Sequence, residues 1–347
     1  YFNTPKFTEE TPGPYGQLSG RTVKDLISES RDNLKNQDEK NHPADFAIWI
    51  KADPRHLMRW DSPWSVGFPG WHLECSAMST KYLGKTFDIH GGGADLKFPH
   101  HENEIAQNMG SCGCAPARYW LHGNMLLMNG RKMSKSDGNT ITPTQLFTGD
   151  SPHVSKGYSP MVVRFFMLQS HYRSTLDLTD EALQAAEKGY QRLMEANRKL
   201  QEMTHPGGGQ AGELDKELNE LCDSVFAEMD DDFNTPRALA QLFKLVTRVN
   251  SLKEGHLSME ELTPDTLLRV KSTFQNCIFQ VFGLLDETGA SGADDELLDG
   301  LMQLIIELRQ GARAEKNWGV ADKIRDTLQK LNVQLKDSKD GTTWSKG

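Results

Sequence analysis

Residues 90 to 107, HGGGADLKFPHHENEIAQ, place backbone freedom next to groups that bind metals or move protons. Glycines that follow the strand-like run TFDI let the backbone approach a ligand closely. His100 and Glu104 are four residues apart and His101 and Glu104 are three apart, so either pair shares one face of a helix. The stretch therefore predicts a binding site built from a flexible loop and the start of a helix.

A histidine and a glutamate so placed can supply two ligands of a tetrahedral zinc, with a thiolate as the third. Cys75 in PGWHLECSAMS is one candidate thiolate, and Cys112 and Cys114 in SCGCAP are its rivals. A structural role is the competing interpretation for any single histidine here. The three residue types together favour zinc, but the residues alone leave the choice of histidine and cysteine open.

The other half of the stretch suits a nucleotide. Ligands of parallel α/β sheets bind at the carboxyl ends of strands, where these glycines lie, and Asp95 can accept hydrogen bonds from ribose hydroxyls. A tight turn would use the same glycines. A second dense stretch, NGRKMSKSDGN from Asn129 to Asn139, is a basic loop that can close over phosphates, although a plain surface hairpin is the alternative.

The elements that must position these residues indicate an α/β fold followed by helices. From Ala47 to about Thr148, short apolar runs alternate with helical stretches such as Glu74 to Leu83 and His101 to Met109. After Pro160 the spacing predicts helices, first in MVVRFFMLQS and then in a helix with Thr179 as its N-cap. Further amphipathic helices are predicted near 213 to 229, 236 to 253, 266 to 284 and 294 to 310.

The two ends of the chain differ from this pattern. The last predicted helix, Val320 to Leu331, leads into a hairpin with its turn at Asp340 and Gly341. Residues 1 to 50 are polar and rich in turn formers, so we expect a peripheral insertion with one helix near Val23 to Lys35. The opening YFNTPKF predicts a strand that enters a turn.

Composition excludes several classes of protein. With 347 residues, 37% hydrophobic, 25% charged and a net charge of -9, the chain resembles a globular protein of two or three domains. No apolar run approaches the roughly 18 residues of a membrane span, and five cysteines without framework spacing indicate the cytoplasm. Residues 301 to 347 carry nine Lys or Arg against six Asp or Glu, a balance of +3 that hints at a polyanionic partner.

KMSKS, at Lys132 to Ser136, is the signature loop of class I aminoacyl-tRNA synthetases, and WHLECSAMS with HGGGADLKFPHHENEIAQ closely resembles the cysteinyl-tRNA synthetase family. The resemblance runs from about Pro43 to the C terminus, where ARAEKNWGVADKIRDTL and GTTW look like that family's anticodon-side module. It implies an α/β fold: the C-terminal part of a Rossmann-like nucleotide-binding domain, then an α-helical bundle and a small α+β module. The implied parts are a connective insertion ending at 46, the catalytic half at 47–148, a stem-contact region at 149–205, a tRNA-binding bundle at 206–287 and the anticodon-side module at 288–347.

The resemblance also implies the reaction, which is ATP-dependent attachment of cysteine to its tRNA through cysteinyl-adenylate, by a protein that is usually a monomer. Zinc would be held by Cys75, His100 and Glu104, which leaves His101 and Glu102 as bystanders, and ATP would enter with Mg²⁺. The remaining roles implied are the cysteine pocket for Trp71 and His90, the ribose for Gly93 and Asp95, and the ATP phosphates for the catalytic Lys132 and Lys135. Candidates for tRNA(Cys) contact, on spacing, are Arg313, Trp318, Lys323, Arg325 and Trp344.

Two features of the family are not in this sequence: the HIGH-type motif and the cysteine that would be the fourth zinc ligand. With Tyr1 as the first residue, we expect that an N-terminal part is missing, that zinc has one ligand fewer and that this chain alone activates cysteine poorly. Two other functions compete. One is a ligase that joins cysteine to a small amine in thiol-cofactor synthesis, and the other is a non-catalytic fragment that binds zinc and tRNA.

Overall fold

A computed structural model describes residues 1–11, 13, 15–22, 40–331, 333–338 and 341–346. The predicted helix at Val23 to Lys35 and the turn residue Asp340 lie outside these ranges. The chain divides into two compact units, one of Tyr1–Gly189 with Asp223–Lys244 and the other of Tyr190–Cys222 with Leu245–Gly347. Within the described residues, no helix is both long enough and apolar enough to cross a bilayer.

Short strands and helices alternate in the first part of the chain, as the sequence predicts. They are α1 (Thr4–Glu10), β1 (Trp49–Lys51), β2 (Gly67–Pro69), α2 (Trp71–Leu83), β3 (Phe87–Gly93), α3 (Glu102–Cys112), β4 (Ala117–Gly123), β5 (Leu126–Met128), β6 (Arg131–Lys132), α4 (Pro143–Thr148), α5 (Pro160–Leu168) and β7 (Leu176–Leu178).

Strands β3 and β4 form a parallel pair, and α3 lies in the crossover between them. Parallel neighbours need such a crossover, because their ends must be brought to the same edge. The register sets His90 opposite Trp120 and Gly92 opposite His122. The glycines and two histidines of different strands therefore meet at one end of the pair.

A second small sheet carries the basic loop. Strand β5 pairs with β7 in parallel and with β6 in antiparallel orientation. The β5–β6 turn needs positive φ at Asn129 (51°) and Gly130 (72°), which these two residue types tolerate best. The amide of Gly130 donates to the carboxylate of Asp177 on β7 at 3.0 Å, so the turn is fastened to the sheet.

The structure of the N-terminal segment contradicts two of the expectations drawn from the sequence. YFNTPKF does not begin as a strand: residues 4–10 are helical, because the side chain of Asn3 caps the Lys6 amide and a proline occupies the first turn. Nor is the described part of residues 1–50 peripheral. The aromatic side chains of Phe7, Tyr15 and Phe46 are buried together with Ala106 of α3.

The rest of the chain is largely helical, and the predicted helices are confirmed with shifts of up to three residues at their ends, except that the helix predicted near 294 to 310 spans Glu287–Ala314. The helices are α6 (Asp180–Glu202), α7 (Glu213–Asp230), α8 (Thr235–Lys253), α9 (Pro264–Phe274, continued by a π-helical turn to Val281), α10 (Glu287–Ala314) and α11 (Trp318–Lys330). Thr179 is the N-cap predicted for α6, since its hydroxyl accepts the amide of Ala182 at 3.1 Å. Strands β8 (Val333–Ser338) and β9 (Gly341–Lys346) form the predicted antiparallel hairpin.

Candidate functional site

Three elements bring the predicted metal ligands together. Cys75 lies on α2, His100 lies in the irregular turn of residues 97–101, and Glu104 lies in the first turn of α3. One ligand atom from each of the three falls within 4.8 Å of the others. The four-residue spacing of His100 and Glu104 is realised, with Nε2 and Oε1 separated by 2.8 Å.

Glu104 is the centre of the site. Its side chain is 1% exposed, and its second oxygen, Oε2, lies 2.8 Å from Nε2 of His90 on β3. Although Oε1 lies near His100, this buried oxygen has no hydrogen bond of suitable geometry within the described residues. Two ligand atoms that face each other in this way fit a shared cation.

A second group of side chains could also hold a metal. His90, His101 and Glu104 offer ligand atoms within 4.8 Å of one another, so Glu104 belongs to both sets. The geometry favours the first set, because Nδ1 of His101 is already 2.9 Å from Nε2 of His122. Its ring also fills the space beside Gly92: a Cβ there would lie 2.8 Å from Cε1 of His101.

The imidazoles form a cluster in which His100 and His101 are buried and His72, His90 and His122 are half-buried. Nδ1 of His72 lies 2.7 Å from Nδ1 of His100, while Nε2 of the same ring lies 2.8 Å from Glu104. Burial, reinforced by neighbouring imidazoles, lowers the pKa of His72 to about 4 and the pKa of His101 to about 3. Burial also lowers the pKa of His100 against the opposing effect of Glu104. These rings are therefore neutral at pH 7, the state in which imidazole binds metals.

Of the three candidate thiols, only Cys75 reaches a metal set in the described part of the chain. Burial, followed by the carboxylates of Glu104 and Glu74, raises the pKa of the Cys75 thiol. A cation would reverse this effect, because a coordinated thiol is held as the thiolate. Cys112 and Cys114 instead contact the Ser111 hydroxyl and the Lys85 carbonyl, so the geometry favours Cys75 among the three.

The residues predicted to contact cysteine border this cluster. Trp71 is the first residue of α2, and its ring centroid lies 4.1 Å from that of His100. With 58% of its surface exposed, Trp71 can cover a ligand held at the cluster. His90 is oriented by Glu104 and packs against Trp120 at 4.9 Å between ring centroids.

The predicted nucleotide-side residues lie at the end of β3. Asp95 is exposed, and a Cβ at Gly93 would lie 2.3 Å from its Oδ1. A side chain at position 93 would therefore displace the Asp95 carboxylate, which turns back over the strand end and is placed to accept hydrogen bonds from ligand hydroxyls.

The basic loop is an ordered hairpin with exposed cations. Lys132 and Lys135 are exposed, and neither forms an ion pair within the described residues. Asn139 is buried beneath the loop and donates to the carbonyls of Met128, Arg131 and Lys132 at 3.2 to 3.4 Å. The hairpin alternative is thus correct as a description of shape, and it leaves both ammonium groups available to an anion.

The five C-terminal candidates are not equivalent. Trp318 is 57% exposed, and Arg313 and Lys323 are also exposed. The guanidinium of Arg325 is engaged by Asp322 and Asp326, each at 3.1 Å. The indole nitrogen of Trp344 donates to Asp299 at 2.8 Å, so it joins the hairpin to α10. Their role in tRNA contact stays a prediction.

Sequence reasoning missed several residues. His72 and His122 join the imidazole cluster. His101 and Glu102, predicted bystanders, are buried and bonded: the Glu102 carboxylate accepts the amide of Ser19 at 2.9 Å. Gly92 leaves room for the ring of His101, but the sequence does not show which side chain fills the room beside a glycine. The signal for Glu102 required the fold of the N-terminal segment.

Comparison with protein families gives three matches along the chain. Residues 2–188 match the class I (C) tRNA synthetase catalytic domain, 224–286 the DALR domain and 298–344 the cysteinyl-tRNA ligase anticodon-binding domain. The cysteine–tRNA ligases of Parabacteroides distasonis and Bacteroides thetaiotaomicron are each 46% identical over 344 residues, which cover 99% of this chain and 68% of theirs. A methionyl-tRNA synthetase structure from Mycobacterium tuberculosis is similar with a TM-score of 0.38 at 20% identity, covering 54% of this chain and 38% of that one.

Proposed function

Because this chain belongs to the cysteine–tRNA ligases, class I enzymes that aminoacylate tRNA, we propose that Cys75, His100 and Glu104 hold a zinc ion that selects the substrate thiol. The observation that carries this proposal is the buried Oε1 of Glu104, which faces Nε2 of His100 at 2.8 Å without a hydrogen bond of suitable geometry. When bound, zinc supplies a bond that a thiolate can make and the hydroxyl of serine cannot match.

The surrounding residues then position the other substrate groups. Trp71 and His90 border the cysteine side chain, while Gly93 and Asp95 receive the ribose of ATP. Lys132 and Lys135 neutralise the phosphates, with Mg²⁺ carried in by ATP. In the first step a carboxylate oxygen of cysteine attacks the α-phosphorus and pyrophosphate leaves. In the second, a ribose hydroxyl of tRNA attacks the carbonyl carbon and AMP leaves. The protein's contribution is to position these groups and to stabilise charge.

We propose that the division made from the sequence has functional meaning: 1–46 ends an insertion, 47–148 carries the chemistry, 149–205 contacts the tRNA stem, 206–287 binds tRNA and 288–347 reads the anticodon side. A monomer acting in the cytoplasm is part of the same proposal. The anticodon-domain match at 298–344 favours a tRNA over the small amine of the competing ligase.

Metal analysis tests the zinc site. The wild-type chain and the variants Cys75→Ser and His101→Gln are purified, dialysed against limiting zinc and analysed by mass spectrometry for metal per chain. We expect Cys75→Ser to lose most of its zinc and His101→Gln to retain it, with circular dichroism confirming that both variants are folded. Equal zinc in Cys75→Ser and wild type would exclude Cys75 from the site, and loss confined to His101→Gln would transfer the site to the His90, His101 and Glu104 set.

A further inference from the structure

The turn between α7 and α8 contains two successive left-handed residues that are not glycine. Asp232 has φ 59° and Phe233 has φ 55°. Aspartate adopts this region with some ease, but for a bulky aromatic residue it is a genuine outlier that costs on the order of 1 kcal/mol or more. Such a conformation persists only where surrounding contacts determine it. The contacts of Asp232 and Phe233 should therefore show what stabilises this turn.

Asp232 binds a segment that lies sixty residues earlier in the chain. The hydroxyl of Tyr172 donates to Oδ1 at 2.6 Å, and Nε of Arg173 lies 2.7 Å from Oδ2. Nε2 of His171 lies 3.7 Å from the same oxygen. The hydrogen bond from Tyr172 is the main cause that lowers the pKa of Asp232, assisted by Arg173 and opposed by burial. One carboxylate thus binds Tyr172 and Arg173 and lies close to His171.

The bound segment supports the strand that leads into the basic loop. The carbonyls of Tyr172 and Arg173 accept the backbone and side-chain amides of Asn124, each at 2.8 Å. Strand β7 begins at Leu176, four residues after Tyr172, and pairs with β5. Asp177 then accepts the amide of Gly130 at the start of the hairpin that carries Lys132 and Lys135.

The strained residue Phe233 also lies next to strands β5 and β7. Phe233 lines a cavity of about 400 Å³ together with Met125 and Leu126 at the start of β5 and Leu176 at the start of β7. Its left-handed backbone therefore places an aromatic side chain at the base of the β5–β7 pair, while Asp232 holds the segment that precedes β7. Asp232 and Phe233 therefore both lie against the segment that leads into β7.

We propose that Asp232 is a positioning residue of the ligase reaction: through Tyr172 and Arg173 it fixes residues 171–178, and through them the base of the 129–139 hairpin. The proposal rests on the proposed function, since it assigns importance to the hairpin because Lys135 binds ATP phosphates. Residues 224–286 belong to the DALR match and residues 2–188 to the catalytic match, so this contact joins two family domains within one compact unit.

Hydrogen exchange tests the positioning step without any substrate. Asp232→Asn keeps a residue type that tolerates the left-handed turn and removes the charge, while Asp231→Asn removes a neighbouring exposed carboxylate as the matched control. We expect amides 129–139 to exchange about three- to tenfold faster in Asp232→Asn only, the range expected for loss of a partly exposed charged hydrogen bond. Equal rates in Asp232→Asn and wild type, or the same rise in both variants, would overturn the proposal.

A double-mutant cycle separates positioning from a general loss of stability. ATP affinity is measured by equilibrium dialysis in wild type, Asp232→Asn, Lys135→Ala and the double variant. We expect Asp232→Asn to weaken ATP binding about three- to tenfold and to add little once Lys135 is absent, because both act through the hairpin. Fully additive losses would contradict the proposal. An unchanged affinity in Lys135→Ala would instead refute the ATP role of the loop, while hydrogen exchange would still decide the positioning step.

Discussion

At the scale of single residues, the packing of the imidazole cluster depends on the absence of a side chain at Gly92. The ring of His101 occupies the place of a side chain there, with Cε1 2.8 Å from where a Cβ would stand. At Gly91, one residue earlier, the nearest atom to a Cβ is the Leu121 carbonyl at 3.6 Å, which is ordinary contact. The two neighbouring glycines of one strand are therefore expected to respond differently to the same substitution.

We predict that Gly92→Ala destabilises the fold by about 1 to 3 kcal/mol, because the His101 ring and its contact with His122 must shift. Gly91→Ala is the control and should change the free energy of unfolding by less than about 0.5 kcal/mol. Urea unfolding followed by circular dichroism measures both. Equal effects of the two substitutions would show that the gap at Gly92 is not filled as described.

Residue-level prediction from the sequence succeeded where helix geometry fixes the answer. His100 and Glu104 meet because four residues make about one turn of a helix, and the structure sets their ligand atoms 2.8 Å apart. It failed for His72 and His122, which reach the cluster from α2 and β4. Those contacts depend on how separate elements pack, and a single sequence contains no spacing rule for them.

At the scale of elements, the start of α6 shows how one carboxylate can order several segments. Asp180 accepts the hydroxyl of Tyr158 at 2.7 Å, the amide of Ser155 at 3.0 Å and the side-chain amide of Gln184 at 2.8 Å. Burial alone would raise the pKa of Asp180, but these hydrogen bonds prevail and lower it to about 2.

We predict that Asp180→Asn loses stability at pH 7 and that the deficit becomes smaller as the pH falls below about 4. A carboxyl whose pKa falls on folding stabilises the native state above its unfolded value, and that contribution is lost as the pH falls from about 4 to about 2. Screening by solvent reduces the expected loss at pH 7 to about 1 kcal/mol. Urea midpoints at pH 7, 4 and 3 measure it against Glu181→Gln, and a deficit independent of pH would refute the assignment.

Element-level prediction was strongest for the long helices and weakest at the N terminus. Helices α7 and α8 follow the predicted ranges closely because their apolar residues repeat at three- and four-residue spacing over many turns. The short α1 was predicted as a strand, although Asn3 and Pro5 are a recognisable helix start. The polar composition of residues 1–50 concealed a few aromatic residues that pack against α3.

At the scale of the whole molecule, charge is separated along the sequence. The last 47 residues carry +3, so the preceding 300 carry -12 of the total of -9. The net charge of the first 300 residues therefore opposes the long-range attraction of a polyanion, and that of the last 47 residues favours it. The side chains on α11 differ in availability: Lys323 forms no ion pair within the described residues, whereas Arg325 is engaged by two aspartates.

We predict that Lys323→Ala lowers the slope of log affinity for tRNA against log salt by about 0.7 to 0.9, the value for one phosphate contact. Arg325→Ala should change the slope less, because Asp322 and Asp326 already neutralise its guanidinium. Filter binding of tRNA(Cys) at several salt concentrations gives both slopes. A larger change for Arg325→Ala, or no salt dependence in wild type, would remove α11 from the interface.

The two oxygens of Glu104 have a further consequence. One faces His100 and the other faces His90, at 2.8 Å each. A cation bound on the His100 side would polarise the whole carboxylate and so change the electrostatic environment of the His90 ring. The nitrogen-15 chemical shifts of the His90 imidazole should therefore change when a cation occupies the His100 side. NMR can measure this change without a label on the substrate.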